Sequence, residues 1–136
     1  MIAAGRRRMK RTAAVLQGIH WFVGIGAIAG GIAALVNPLN PMGVGAEALE
    51  HAPFDTFLIP GLFLLIVLGA GNCLGALTGI RYPQWRGYLA AAFGAVLVLW
   101  IVIQCIMLRS VVLLHVLYLL IGVFQSAMGL KLMRRN

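Results

Sequence analysis

Four glycines, Gly69, Gly71, Gly75 and Gly79, fall within the string GAGNCLGALTG, directly after the apolar run LFLLIVL. A strand followed by such a loop would suggest a dinucleotide fingerprint, whose bare backbone cradles a pyrophosphate. That chemistry also needs an acidic residue about 20 positions further on. The chain reads AVLVLW there, without an acid. The glycines also sit inside an uncharged stretch long enough to cross a bilayer, so a mechanical role is expected for them.

The other groups capable of chemistry are few. His20, Asn72 and Gln125 interrupt apolar runs, with Gln17 close to the first of them. Gln104, Arg109 and His115 form a second polar set. Glu47, Glu50, His51 and Asp55 are the one acid-plus-histidine group, and Glu47 and His51 have the i,i+4 spacing of metal ligands on a helix. Loops facing water are commonly acidic for no special reason, so no metal is expected. No H-E-x-x-H, no G-x-S-x-G and no pair of carboxylates in an apolar pocket is present. An enzyme is therefore not expected, and no cofactor. Cys73 and Cys105 lack C-x-x-C spacing and should lie at different depths, so neither zinc, redox chemistry nor a disulfide is signalled. His20 and His115 should lie near opposite faces and cannot share a haem.

These residues must be positioned by elements suited to lipid. Of the 136 residues, 62% are hydrophobic and 10% charged. Soluble domains average roughly 45–50% and 25%. A chain this short has no interior large enough to hide that much apolar surface from water. Four stretches reach the roughly 20 apolar residues that a spanning helix needs: 12–36, 60–80, 88–108 and 111–130. The last two nearly touch, and the chain is expected to reverse at Arg109-Ser110. The expected fold is all-α, a single integral membrane domain over 1–136 forming a four-helix transmembrane bundle.

The net charge of +8 raises the question of nucleic acid. The cations sit in short clusters between apolar runs, which suits a membrane surface instead. Arg6, Arg7, Arg8, Lys10 and Arg11 precede the first span, Arg81 and Arg86 follow the second, and Lys131, Arg134 and Arg135 follow the fourth. Four crossings put all three clusters on one side, and basic residues favour the cytoplasm. Both termini should be cytoplasmic. The loop 37–59, with every acidic residue, should face outward. The first apolar run exceeds the 7–15 residues of a signal-peptide core, so an uncleaved span is expected. Pro60 suits the first turn of the second helix. Arg81, Tyr82, Trp85, Arg86 and Tyr88 suit an interfacial belt.

Gly71, Gly75 and Gly79 recur every four residues and share one helix face. Small residues let backbones approach in lipid, where packing contacts replace the hydrophobic drive. Gly26 and Gly30, with Gly24 and Gly31 nearby, repeat the pattern in the first span; Gly122 and Ser126, then Gly129, repeat it in the fourth. The packing partner is either another helix of this chain or another copy. Gln17, Gly24 and Gly31 form one stripe of the first span, with His20 and Ala27 beside it, and His115 shares the small stripe of the fourth, so those faces should point into the bundle. Counted from the inner helix ends at ~1.5 Å per residue, His20, Asn72 and Gln125 reach the same depth. A cluster of the three is expected, with Gln17 close by. It serves either as a polar site for a solute or proton, or as hydrogen bonding that fixes the packing.

The runs FLIPGLFLLIVLGAGN and RYPQWRGYLAAAFGAVLVLWIVIQ resemble a broad group of small four-helix bacterial membrane proteins, through Pro60, Gly61, Gly71, Asn72, Trp100, Ile101 and Gln104. The resemblance covers about half the chain. It implies the architecture and a bacterial inner membrane, and no activity. The chain lacks the membrane-embedded glutamate in the first helix that small multidrug transporters would show. The leading expectation is a structural or accessory membrane component, as a homo-oligomer or within a larger complex. The alternative is a small-solute transporter or channel with a ligand between its helices.

Overall fold

The computed structural model describes residues 2–40, 49, 53, 55–108 and 113–135. Helix α1 runs over Ile2–Val36. The second span is built from α2 (Leu58–Phe63), a π-helical segment (Leu64–Ala70) and α3 (Gly71–Arg81). A short 3-10 turn, Pro83–Trp85, leads into α4 (Arg86–Leu108). Helix α5 covers Leu113–Arg135. Four helices are long and apolar enough to cross a membrane.

The ends differ from the sequence expectation in two places. Helix α1 starts about one helical overhang earlier than residue 12, because the basic stretch 6–11 contains no helix breaker and simply continues the coil. Its 35 residues make a rod of about 52 Å at 1.5 Å per residue, well beyond the roughly 30 Å of hydrocarbon in a bilayer. The second span contains a π segment that no periodicity announced. There the N–H of Gly71 bonds to the carbonyl of Ile66, five residues back. The expected reversal at Arg109-Ser110 lies outside the described residues, as do Glu47, Glu50 and His51.

The buried positions explain the assembly. In α1 they are Ala13, Leu16, His20, Val23, Gly24, Ala27, Gly31 and Ala34, and in α4 Gly87, Ala90, Gly94, Leu97, Trp100 and Ile101. In α5 they are Gly122, Gln125, Gly129 and Leu132. Apart from the adjacent pairs Val23–Gly24 and Trp100–Ile101, each series steps by three and four residues, the seam of helices crossing at a shallow angle. Small residues dominate these seams, so the helices pair closely. Helix α4 packs chiefly on α5, and α1 chiefly on the second span.

Glycine is required where backbones touch. A Cβ on Gly94 would strike the Ser126 side chain and lie 2.6 Å from its backbone nitrogen. One on Gly87 would meet the Met133 nitrogen at 2.8 Å and the Gly129 carbonyl at 2.9 Å. Between α1 and the second span, a Cβ on Gly31 would lie 2.8 Å from the Leu65 nitrogen and 2.9 Å from the Gly61 carbonyl. Above the bundle, the N–H of Phe57 donates to the Pro38 carbonyl at 2.9 Å, tying together the two feet of the long loop.

Gly94→Ala should therefore cost about 1–3 kcal/mol, as overpacking of a filled interior does. Gly75→Ala should cost far less, because the atoms nearest its Cβ would be those of the His20 and Phe93 rings, no closer than 3.4 Å. Thermal unfolding of both variants in the same lipid or detergent checks the ranking.

Candidate functional site

His20 from α1, Asn72 from α3 and Gln125 from α5 meet at the centre of the bundle. Their exposures are 3%, 0% and 0%. The expected layer of three is thus a contact cluster, held by the seams just described. His20 Nδ1 lies 2.9 Å from Asn72 Oδ1. Asn72 Nδ2 donates to the Leu68 carbonyl at 2.8 Å. That bond fixes which end of the amide faces the histidine, since a flipped amide would set two oxygens against each other. With an oxygen facing it, Nδ1 must carry the proton and donate. Gln125 Nε2 then donates to Asn72 Oδ1 at 3.4 Å. Its 3.3 Å approach to His20 Nδ1 is a contact between two donors and not a second bond.

The cluster joins the two helix pairs. His20 and Asn72 belong to one pair and Gln125 to the other, so one carbonyl oxygen accepts from both sides. Phe93 of α4 closes the fourth side, its ring edge-on to His20 with centroids 6.0 Å apart. Toward the basic end, Gln17 Nε2 donates to the Ala76 carbonyl at 2.9 Å. Arg86 Nε donates to the Gly79 carbonyl at 2.7 Å. Three buried polar atoms have no partner among the described residues: Gln17 Oε1, Gln125 Oε1 and Trp100 Nε1.

The glycine face Gly71–Gly75–Gly79 opens onto these same groups. A Cβ on Gly71 would meet Phe93 at 2.7 Å, one on Gly75 would meet His20 and Phe93, and one on Gly79 would lie 2.9 Å from Gln17 Nε2. The stripe makes room for side chains of this chain. In α1 the close approach falls on Gly24 and Gly31, both buried. Gly26 and Gly30 are half-buried and face the ends of side chains: the Tyr118 hydroxyl at 2.9 Å and Leu64 Cδ2 at 3.0 Å. The stripe of Gln17, Gly24 and Gly31 is thus the close-packed one, and the Gly26–Gly30 pair lies to its side. Gly122 and Ser126 lie against Gly94, and the Ser126 hydroxyl donates to the Ala91 carbonyl at 3.5 Å.

The second polar set is less informative. Gln104 of α4 and His115 of α5 are half-buried, and Arg109 lies outside the described residues. Cys73 and Cys105 are free thiols. Among the described residues no group of histidine, cysteine and carboxylate side chains is arranged to hold a metal ion.

Sequence reading missed several participants. Phe93 and Trp100 look like ordinary lipid-facing aromatics, yet Phe93 lies against His20, and Trp100 is buried and stacks on Phe63 with centroids 4.5 Å apart. Gly87 and Gly94 carried a signal that could have found them, being spaced by seven in α4. Arg86, expected to anchor at the interface, reaches back to cap the second span.

No protein-family model matches this chain, and neither a curated protein nor a solved structure matches it.

A double-mutant cycle of His20→Ala and Asn72→Ala should give a coupling of about 0.6 kcal/mol, the average for hydrogen bonds between membrane helices, and no more than about 1.7 kcal/mol, the maximum found for them. A coupling indistinguishable from zero in reversible unfolding would mean that the bond does not hold the pairs.

Proposed function

We propose that this chain is an integral protein of a bacterial inner membrane, with both termini and the 81–86 turn in the cytoplasm, and that it serves as a structural or accessory component of a larger membrane assembly. The observation that carries this reading is how the faces are divided. Polar and small residues are spent inside the chain, and large apolar side chains are spent outside. Phe22 is 55% exposed, Ile66 60%, Leu120 61% and Ile106 68%. An apolar surface of that extent belongs against lipid or protein. The small faces already have partners within the chain, so association with other proteins falls to the outer Leu, Ile and Phe faces and to the basic overhang of α1. Arg6, Arg7, Arg8, Lys10 and Arg11 are all exposed there, placed to meet anionic headgroups or an acidic partner.

A second reading, a small-solute transporter or channel with its site between the helices, is favoured by one observation. The Gln125 carbonyl is fully buried without a partner, and a polar solute would supply one. Against it, the described space beside the cluster is about 10 Å³, close to the volume of one water.

Extraction of the protein from its own membranes into nanodiscs, followed by native mass spectrometry, separates the two. The accessory role predicts a larger protein or complex in fixed ratio. A homo-oligomer alone, carrying a small molecule, would replace that role with transport and call for flux assays on liposomes. The topology has its own check. A cysteine at Leu39 should react with an impermeant maleimide in cells with a permeable outer layer, and a cysteine at Ala3 only after the membrane is opened. The reverse pattern would overturn the orientation.

A further inference from the structure

Between α1, α3 and the start of α4 lies a small cavity lined by Gln17, His20, Gly75, Gly79 and Arg86, with Ala13 and Leu16 completing its wall. Its volume is about 10 Å³. One water needs roughly that much space and 2–4 polar partners. Three groups on the wall have hydrogen-bonding capacity to spare. Gln17 Oε1 is buried and has no partner, because the amide nitrogen alone is used, toward Ala76. The Asn72 amide commits His20 to carrying its proton on Nδ1. In the neutral ring Nε2 is then a bare acceptor. Arg86 spends its Nε–H on the Gly79 carbonyl and keeps the other guanidinium N–H groups.

We propose that this cavity binds a single water, which donates to His20 Nε2 and to Gln17 Oε1 and accepts from Arg86. Two acceptors and a donor around one water-sized space match the two hydrogens and the lone pairs of water. They do not match an anion, which would face the lone pairs of Gln17 and His20 despite the nearby arginine. The glycines maintain the space. A methyl at Gly75 would stand 3.4 Å from His20 Cε1, and one at Gly79 would press on Gln17.

The water gives buried His20 a connection to one end of the bundle only. Gln17 and Arg86 are half-buried at the basic end. On the opposite side the cluster meets Val23, Leu68, Leu97 and Trp100, a close-packed apolar core. Water reaches the ring from the basic end and not through the rest of the span. This assignment is independent of whether the protein is an accessory subunit or a transporter.

The test is magic-angle-spinning NMR of ¹⁵N-histidine-labelled protein in lipid bilayers, with the His20 signals identified by their absence in His20→Asn. The expected spectrum has a protonated Nδ1, a non-protonated Nε2 shifted by a hydrogen bond, and a cross peak from water to the His20 ring. Gly75→Ala should abolish that cross peak and keep the Nδ1–H tautomer. If Gly75→Ala does not assemble, Gln17→Leu provides the same readout, since it removes one of the two acceptors. Absence of the cross peak in the unaltered protein, a proton on Nε2 in place of Nδ1, or a cross peak that persists in a folded Gly75→Ala protein would each overturn the proposal.

Discussion

On the proposed membrane reading, the structure depends on how closely two backbones can approach in a medium that does not push them together. Lipid tails are as apolar as leucine, so burying leucine in the bundle gains little over leaving it in the bilayer. What remains is contact between atoms, each worth only about 0.1–0.2 kcal/mol at the right distance. Glycine and alanine seams multiply those contacts by removing the side chains that would hold the helices apart. Gly87, Gly94, Gly122 and Gly129 do this for α4 and α5, and Gly24, Gly31, Gly61 and Gly69 for α1 and the second span.

Two tightly joined pairs do not by themselves make a bundle with one arrangement. The interface between the pairs is largely apolar, and apolar contacts are non-directional, so they leave one pair free to slide or rotate against the other at modest cost. The His20–Asn72–Gln125 cluster removes that freedom. Its hydrogen bonds are directional, and away from water a misplaced partner is not replaced. The bonds need contribute little stability to have this effect. The wrong registers are penalised by amides left bare, while the right one is only mildly rewarded. Phe93 against the histidine ring adds a steric stop from the fourth helix.

Much of this was legible in the sequence because hydropathy and composition act over long windows. The four long apolar helices and the common level of His20, Asn72 and Gln125 follow from counting residues along an ideal helix. Angles were harder. Two stripes were legible in α1, Gly26–Gly30 and Gln17–Gly24–Gly31, and the seam runs through the second. A motif states that small residues share a face, and the partner decides which face is used. Phe93 and Trp100 were invisible for a related reason: in an apolar run, inward and outward aromatics look alike. The basic stretch 6–11 was placed ahead of the first span because arginine and lysine mark the interface, although both are good helix formers and α1 runs through it.

The π-helical segment Leu64–Ala70 has a consequence for how this protein can change over time. One surplus residue in a coil of 3.6 per turn would turn everything below it by about 100°, and the wider π turns take up that residue instead. The upper half of the second span is aligned to the small face of α1, and the lower half presents Asn72, Gly75 and Gly79 to the centre. A single-codon deletion within the segment would therefore restore an unbroken α-helix and leave both faces where they are, so the span can hold or lose one residue at this point without losing its polar cluster.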